Sequence, residues 1–279
     1  MGMGHRSILD SSGHFGRSVD CRGHWCAYQC PAEQVTDMFS LQSPRFPSID
    51  PLSDGKSLVA LVDSMGNSLS VVNDARQSFE QRSEEWTERN EKLVNYLARE
   101  HHTSPFRGVV FKWFVKAPLF ICRQWWKHTV ASTYVDDQLG WNEKSFRYCS
   151  AEDAQFYTPT HFAKQSKSNR QASEGFLDGN DQALAHQLYA QALQGCIQAY
   201  EGLLLTGVSK EQARAILPPC MYSSFTWTCS LQTLLHFISL RAEKGAQSEI
   251  AAYARSLQVL ARPIAPEVFK AFEENNYQF

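Results

Sequence analysis

A chain of 279 residues, 43% apolar and 20% charged, can bury one substantial core or at most two small ones. Its net charge of -2 supplies no field that would draw the whole molecule to nucleic acid or to an anionic membrane. No apolar run is long enough to span a bilayer, and the N-terminus has no apolar segment of signal-peptide type, so a cytoplasmic protein is the default expectation.

Residues 1–37 are rich in Gly, Ser, His and Arg and have no periodicity. Cys21, Cys26 and Cys30 cluster there around His24, but their spacing fits no standard zinc pattern, and they read as free thiols with no metal. Pro44, Pro47 and Pro51 mark residues 40–57 as an irregular lead-in, so 1–57 is expected to be a flexible tail and 58–279 a single domain. The stretch from Ser57 to Met65 reads as a strand. Ser68 to Phe79 reads as a short helix, and Ser83 to Glu100 as a longer one with a Ser cap and an apolar stripe. Val109 to Lys116 suits a strand that ends at Ala117-Pro118, and Pro118 suits the start of a helix over Leu119 to His128. That helix would set Arg123 and Lys127 on one face and Gln124 and His128 on a neighbouring one.

The middle, Thr133 to about Asp181, is polar and irregular. The second half reads as helical: Asp181 to Leu205, Lys210 to Ile216 before Pro218-Pro219, Trp227 to Leu240 as a buried helix, and Ser248 to Leu260. With no internal repeat and no linker after residue 58, the fold class is α+β, a mixed sheet packed with long helices. Cys122, Cys196 and Cys229 lie in apolar segments and read as small buried hydrophobes.

Neither GxxxxGK[ST] nor GxGxxG occurs, so a phosphorylated ligand must be held by side chains, chiefly arginine. Arg123-Gln-Trp-Trp-Lys-His128 and Asn142-Glu-Lys-Ser-Phe-Arg-Tyr148 bracket a loop and supply cations, a carboxylate, a hydroxyl and amides. Solvated helices often carry such alternation, so these runs alone decide nothing. They stand, however, in an ordered series: Leu61 to Asn67, Asp74 to Phe79, His102 to Phe106, Phe114 to Pro118, Arg123-Gln-Trp125, Asn142 to Tyr148 and Leu240 to Gln247. In that order, from about residue 58 to Phe272, they resemble the landmarks of the flavin-dependent thymidylate synthases.

The resemblance implies an α+β protomer of a homotetramer, with active sites assembled across subunits. It implies dUMP, 5,10-methylenetetrahydrofolate and NADPH as substrates and FAD as hydride carrier. His102 and Ser104 would touch the flavin, with Arg76 and Ser78 nearby. Lys127, His128 and Thr129 occupy the tripeptide that grips it. Ser230, Gln232 and His236 match positions that approach it from another subunit. Gln124, Lys127, Glu143, Ser145, Phe146, Arg147, Arg214 and Arg241 would frame the nucleotide, Glu143 touching flavin as well. Guanidiniums suit a phosphate, and Arg241 against the pyrimidine oxygens would stabilise the anion that develops when C5 is made nucleophilic. Arg241 also fits a helix-end cation. Ser145 has no His or Asp partner at usable spacing and is assigned to binding at the catalytic centre. Cys220, after Leu217-Pro-Pro, is not expected to be a nucleophile.

Several positions depart from the family's pattern. Its Arg-His-Arg is Lys127-His128-Thr129 here, and fifteen residues separate Thr129 from Ser145, an insertion around 133–140. Gly108 and Gly245 stand where the family has histidines, and Ser230 and His236 replace asparagines. Two other readings stand beside this one: methylation of a different uracil nucleotide such as UMP, and a non-catalytic nucleotide- or RNA-binding protein on the same scaffold, its bases stacking on the basic-aromatic run Lys112 to His128.

Overall fold

Alternation of apolar and polar residues builds the sheet. In Val110–Pro118 (β3) Phe111, Trp113, Val115 and Ala117 are buried while the residues between them are not, so one face meets a core. The same holds for Tyr222–Ser230 (β7), where Phe225, Trp227 and Cys229 point inward. The computed structural model describes residues 46–128, 141–145, 154–169, 172–243 and 245–276, which belong to one compact unit. Its main sheet runs Ser48–Ile49 (β1), Leu58–Met65 (β2), β3, β7 and Trp141–Glu143 (β4), in that spatial order. A separate hairpin joins Ala163–Gln165 (β5) to Ser173–Phe176 (β6).

Every described pairing is antiparallel. The fold class is α+β as expected, but the sheet is not mixed, because each neighbouring pair meets head to tail without a parallel crossover. The helices on its inner face are Ser68–Ala75 (α1), Glu88–Arg99 (α2), Leu119–Trp125 (α3), Leu231–Arg241 (α6), Ser248–Ala261 (α7) and Pro266–Glu274 (α8). Gly179–Leu205 (α4) and Lys210–Ala213 (α5) stand to one side.

The differences from the sequence-based reading have local causes. Ordered structure starts before Leu58: Ser48 and Ile49 pair with Ala60 and Val59, and Asp50 and Asp54 organise the turn back into β2. The helix expected from Ser83 starts only at Glu88, because Ser83 is tied to α1. Its amide donates to Asn73 Oδ1 at 2.8 Å, and Asn73 Nδ2 donates to its carbonyl at 3.1 Å. The helix expected through His128 stops at Trp125; a turn, His128 N–H to the Trp125 carbonyl at 2.9 Å, then buries the imidazole against Phe237. The expected helix from Trp227 is strand to Ser230, whose hydroxyl caps α6 by accepting from the Thr233 amide at 3.2 Å. Helix α8 was not foreseen. Pro266 starts it, Val268, Phe269 and Phe272 bury it, and Lys270 reaches Glu91 of α2 at 2.6 Å.

Trp125 lies at the centre of the core, 1% exposed, with Phe225, Trp227, Phe237 and Tyr253 packed around its ring at centroid distances of 4.6–5.9 Å. Such pairs add to the area burial that drives packing. Trp125→Ala should lower stability by about 3–5 kcal/mol, read as a shift in the urea midpoint. A loss below about 1 kcal/mol would place the packing centre elsewhere.

Candidate active site

Helix α6 carries functional side chains at both ends. At its C-terminus Arg241 donates from Nε to His128 Nε2 at 2.8 Å. The imidazole is 7% exposed, and its ring lies 6.2 Å from that of His236. Burial, then the nearby charges of Arg241 and His236, hold the His128 pKa down at about 4. Burial also lowers that of His236. A neutral His128 accepts at Nε2 and therefore carries its proton on Nδ1. Arg241 is indeed a cation in the last turn of a helix, where the dipole favours it. It is also partly buried and aimed by an imidazole, which a solvated helix-end cation is not.

At the other end of α6, Gln232 is 7% exposed and fully engaged. Its Oε1 accepts from Arg107 Nε at 2.7 Å, and its Nε2 donates to Thr103 Oγ1 at 2.9 Å. It thereby fixes the turn Ser104–Gly108, which brings Ser104 and, one step before Thr103, His102 to the surface. His102 rests edge-on against Tyr96 at 5.6 Å. Nine residues at 1.5 Å rise set Gln232 and Arg241 about 13 Å apart along the axis. Within one chain, His236 joins the Arg241 cluster, while Gln232 joins the turn after His102 and Ser230 caps the start of the helix. The three expected flavin contacts from this helix thus fall into two groups.

The other expected residues form smaller links. Glu143, at the end of β4, accepts at Oε1 from the buried Ser223 hydroxyl at 2.8 Å. Gln124 Nε2 donates to Gln247 Oε1 at 2.6 Å, joining α3 to the start of α7. Arg214 sits in the turn after α5, half-buried, with Nε donating to the Glu211 carbonyl at 3.3 Å. Lys127 and Ser78 are exposed, Ser145 is half-buried, and Arg76 bonds the Ser83 hydroxyl. Thr129, Phe146 and Arg147, the cluster Cys21, Cys26, Cys30, and loop 133–140 lie outside the described residues.

Ser223, Thr103 and Arg107 were missed in the sequence. Gln247 stood at the edge of a quoted motif without a role. Only the β3–β7 register and the α6 cap bring Ser223, Thr103 and Arg107 to the site, and neither leaves a local signature. At Gly108 a neighbouring side chain takes up the space beside the backbone. A Cβ at Gly108 would overlap the Asp74 carboxylate, and burial raises the Asp74 pKa. Asp74 fills the space a larger side chain would need. Burial also pushes the Cys220 thiol up, only partly offset by a hydrogen bond with Tyr189, so it stays protonated at neutral pH. Among the described residues no group of three His, Cys, Asp or Glu could hold a metal, and no helix is long and apolar enough to cross a membrane.

The His128 shift has a sign. The unfolded chain takes up its proton near pH 6.5, whereas the folded protein does so only near about 4. Between these values the unfolded state binds more protons, so stability falls as pH drops. His128→Gln keeps an acceptor for Arg241 and should flatten that fall, measured as urea midpoints from pH 7 to pH 4. An unaltered slope would mean that His128 does not titrate in this way.

Comparison with known proteins bears on the chain as a whole. Residues 60–267 match the family described as thymidylate synthase complementing protein. The chain is 42% identical over 220 residues to a flavin-dependent thymidylate synthase of Thermus thermophilus, covering 79% of this chain and 77% of that one. It is 33% identical over 223 residues to the enzyme of that name from Thermosipho africanus, covering 80% and 93%. A solved UMP/dUMP methylase, PolB of Streptomyces cacaoi, bound with 5-Br dUMP, superposes with a TM-score of 0.68 at 28% identity, over 78% of this chain and 95% of that one. The same methylase bound with 5-Br UMP gives 0.66. The chain belongs to the thymidylate synthase complementing protein family, that of the flavin-dependent thymidylate synthases.

Proposed function

We propose that this protein makes dTMP from dUMP, with 5,10-methylenetetrahydrofolate as one-carbon donor, NADPH as reductant and FAD as hydride carrier. The observation that carries this reading is Arg241, a partly buried guanidinium held at 2.8 Å by a neutral imidazole inside a chain of this family. Such a preorganised charge stabilises an anion without reorganising during reaction. Set against the uracil oxygens, Arg241 would stabilise the electron-rich pyrimidine whose C5 attacks the one-carbon unit. Gln124, Glu143, Ser145, Phe146, Arg147 and Arg214 would bind and orient the nucleotide, with Ser223 fixing the Glu143 carboxylate and Gln247 fixing Gln124.

The donor chemistry of this chain suits a flavin dinucleotide: exposed His102, Ser104, Ser78 and Lys127 offer imidazole, hydroxyl and ammonium groups to ribityl and pyrophosphate oxygens. When bound, FAD supplies the hydride. Gln232 is committed to Thr103 and Arg107, so its part is to hold the turn that presents His102 and Ser104. Two features favour a homotetramer with shared sites. The two ends of α6 serve different groups of side chains. Helix α4, 27 residues long, buries only Tyr200 within the chain and leaves Leu184, Leu188 and Leu205 exposed.

Incubating the purified protein with dUMP, methylenetetrahydrofolate, FAD and NADPH should yield dTMP, identified by mass. A parallel arm with UMP tests the sugar. Recovery of unchanged dUMP would sink the reading. Arg241→Ala should lower kcat by about 10²–10³ while flavin binding, followed by absorbance, persists; normal turnover would reduce Arg241 to a helix-end cation. Cys220→Ser should keep most of the activity. Complete loss in a folded variant, with a covalent 5-fluoro-dUMP adduct on Cys220 of the unmutated protein, would point to thiolate attack instead.

A further inference from the structure

Helix α2 ends in a Schellman closure, and two histidines stand where that motif favours other residues. The His102 amide donates to the Leu97 carbonyl at 2.9 Å, and the His101 amide to the Ala98 carbonyl at 3.3 Å. His101 takes the left-handed position, with a φ of 56°, which glycine fills without steric cost. His102 takes the next place, whose side chain commonly makes an apolar contact back to the last turns of the helix. Here that contact is an imidazole set edge-on to Tyr96, with ring centroids 5.6 Å apart and an interplanar angle of 87°. Ending the helix requires neither a Cβ in the left-handed position nor a polar ring at the apolar contact. Backbone strain of this kind concentrates at ligand sites.

The restraints on His102 can be traced group by group. Its backbone is held by the Leu97 carbonyl, and the next residue by Gln232 Nε2, which donates to Thr103 Oγ1 at 2.9 Å. Its side chain is exposed, and neither ring nitrogen makes a hydrogen bond among the described residues. Both nitrogens are therefore open to a ligand, and the described contact that restrains the ring's rotation is the one with Tyr96. Tyr96 is itself steadied. The Arg99 guanidinium lies 5.7 Å from its ring centroid, and Arg99 Nε donates to Glu100 Oε1 at 2.9 Å. An exposed imidazole without such a neighbour samples several rotamers, and freezing it when a ligand arrives costs entropy. A ring already set against an aromatic neighbour is spared much of that cost.

We propose that Tyr96 is a positioning residue of the flavin site, whose ring holds the His102 imidazole in the orientation that meets the cofactor. That the imidazole's ligand is flavin rests on the reaction proposed above. That Tyr96 orients the imidazole rests on the α2 terminus alone.

The test separates ring motion from binding and from turnover. The full-length protein carries isotope-labelled histidine, and the His102 ring is assigned by its loss in His102→Ala. Its order parameter should be high in the native protein and in Tyr96→Phe. In Tyr96→Leu, which keeps an apolar seal on the helix end but no ring, it should fall below about 0.6. The dissociation constant for FAD, followed by absorbance, should rise about three- to tenfold in Tyr96→Leu, as expected for one aromatic pair, and stay within about twofold in Tyr96→Phe. In the His102→Ala background Tyr96→Leu should add no further loss, because Tyr96 acts through the imidazole. An unchanged order parameter or unchanged FAD binding in Tyr96→Leu would overturn the proposal. So would an equal loss in the His102→Ala background, which would make Tyr96 a flavin contact in its own right or a prop of the fold; a fall in the urea midpoint marks the second. A protein that binds no FAD would overturn it as well. FAD bound in the expected pattern without formation of dTMP would refute the proposed reaction and leave the positioning role standing.

Discussion

The antiparallel pairing of β3 with β7 is the constraint on which the rest of the molecule depends. Nine register pairs, Val110 with Ser230 through Pro118 with Tyr222, lock the strands together. Each strand passes directly into a helix, at opposite ends of the ladder, and each junction is sealed across to the partner strand's end. The Leu119 amide donates to the Met221 carbonyl at 2.9 Å, and the Leu231 amide to the Val109 carbonyl at 2.7 Å. Helices α3 and α6 therefore leave from opposite ends and run over the same face, so the turn after α3 can meet the last residue of α6. The Arg241–His128 bond is a product of that register. A slip of one residue would reverse every inward side chain of β7, exposing Phe225 and Trp227 and burying Thr226 and Thr228.

Much of this was legible from the sequence because the chemistry is local. The strands over Leu58–Met65 and Val110–Pro118, the helix after Pro118, the long helix to Leu205 and the helix from Ser248 all announce themselves by period, cap or Pro. The error at Trp227 has a physical cause. Ser-Phe-Thr-Trp-Thr-Cys-Ser alternates as a strand should, but the apolar helix that follows without a break extends its own pattern backwards over it. Ser230 marks the boundary, and a serine cap is recognised only once the two periods are separated. The all-antiparallel arrangement and the clamp of Ser83 by Asn73 depend on pairings distant in sequence, and no window of residues contains them.

The site divides the same way. The presence of Arg241, Glu143, Gln124 and His128 was readable from ordered motifs; their supports were not. Ser223, Gln247, Thr103 and Arg107 hold those side chains or their neighbours by single hydrogen bonds across 80 or more residues of chain. Gln232 shows the difference between position and role. Both halves of its amide bond within the chain, so a position picked out by resemblance also shapes the turn that carries Ser104.

Asp74 and Gly108 carry a lesson for exchange between relatives. The carboxylate occupies the volume that any Cβ at position 108 would enter, and the two residues come from separate segments, helix α1 and the turn before β3. A side chain at position 108 therefore requires the exposed Asp74 carboxylate to swing aside or be replaced. A chimera that takes the turn from a histidine-bearing relative and keeps Asp74 as it stands would place two side chains in one space. A segment boundary drawn between them is a test of volume before it is a test of chemistry.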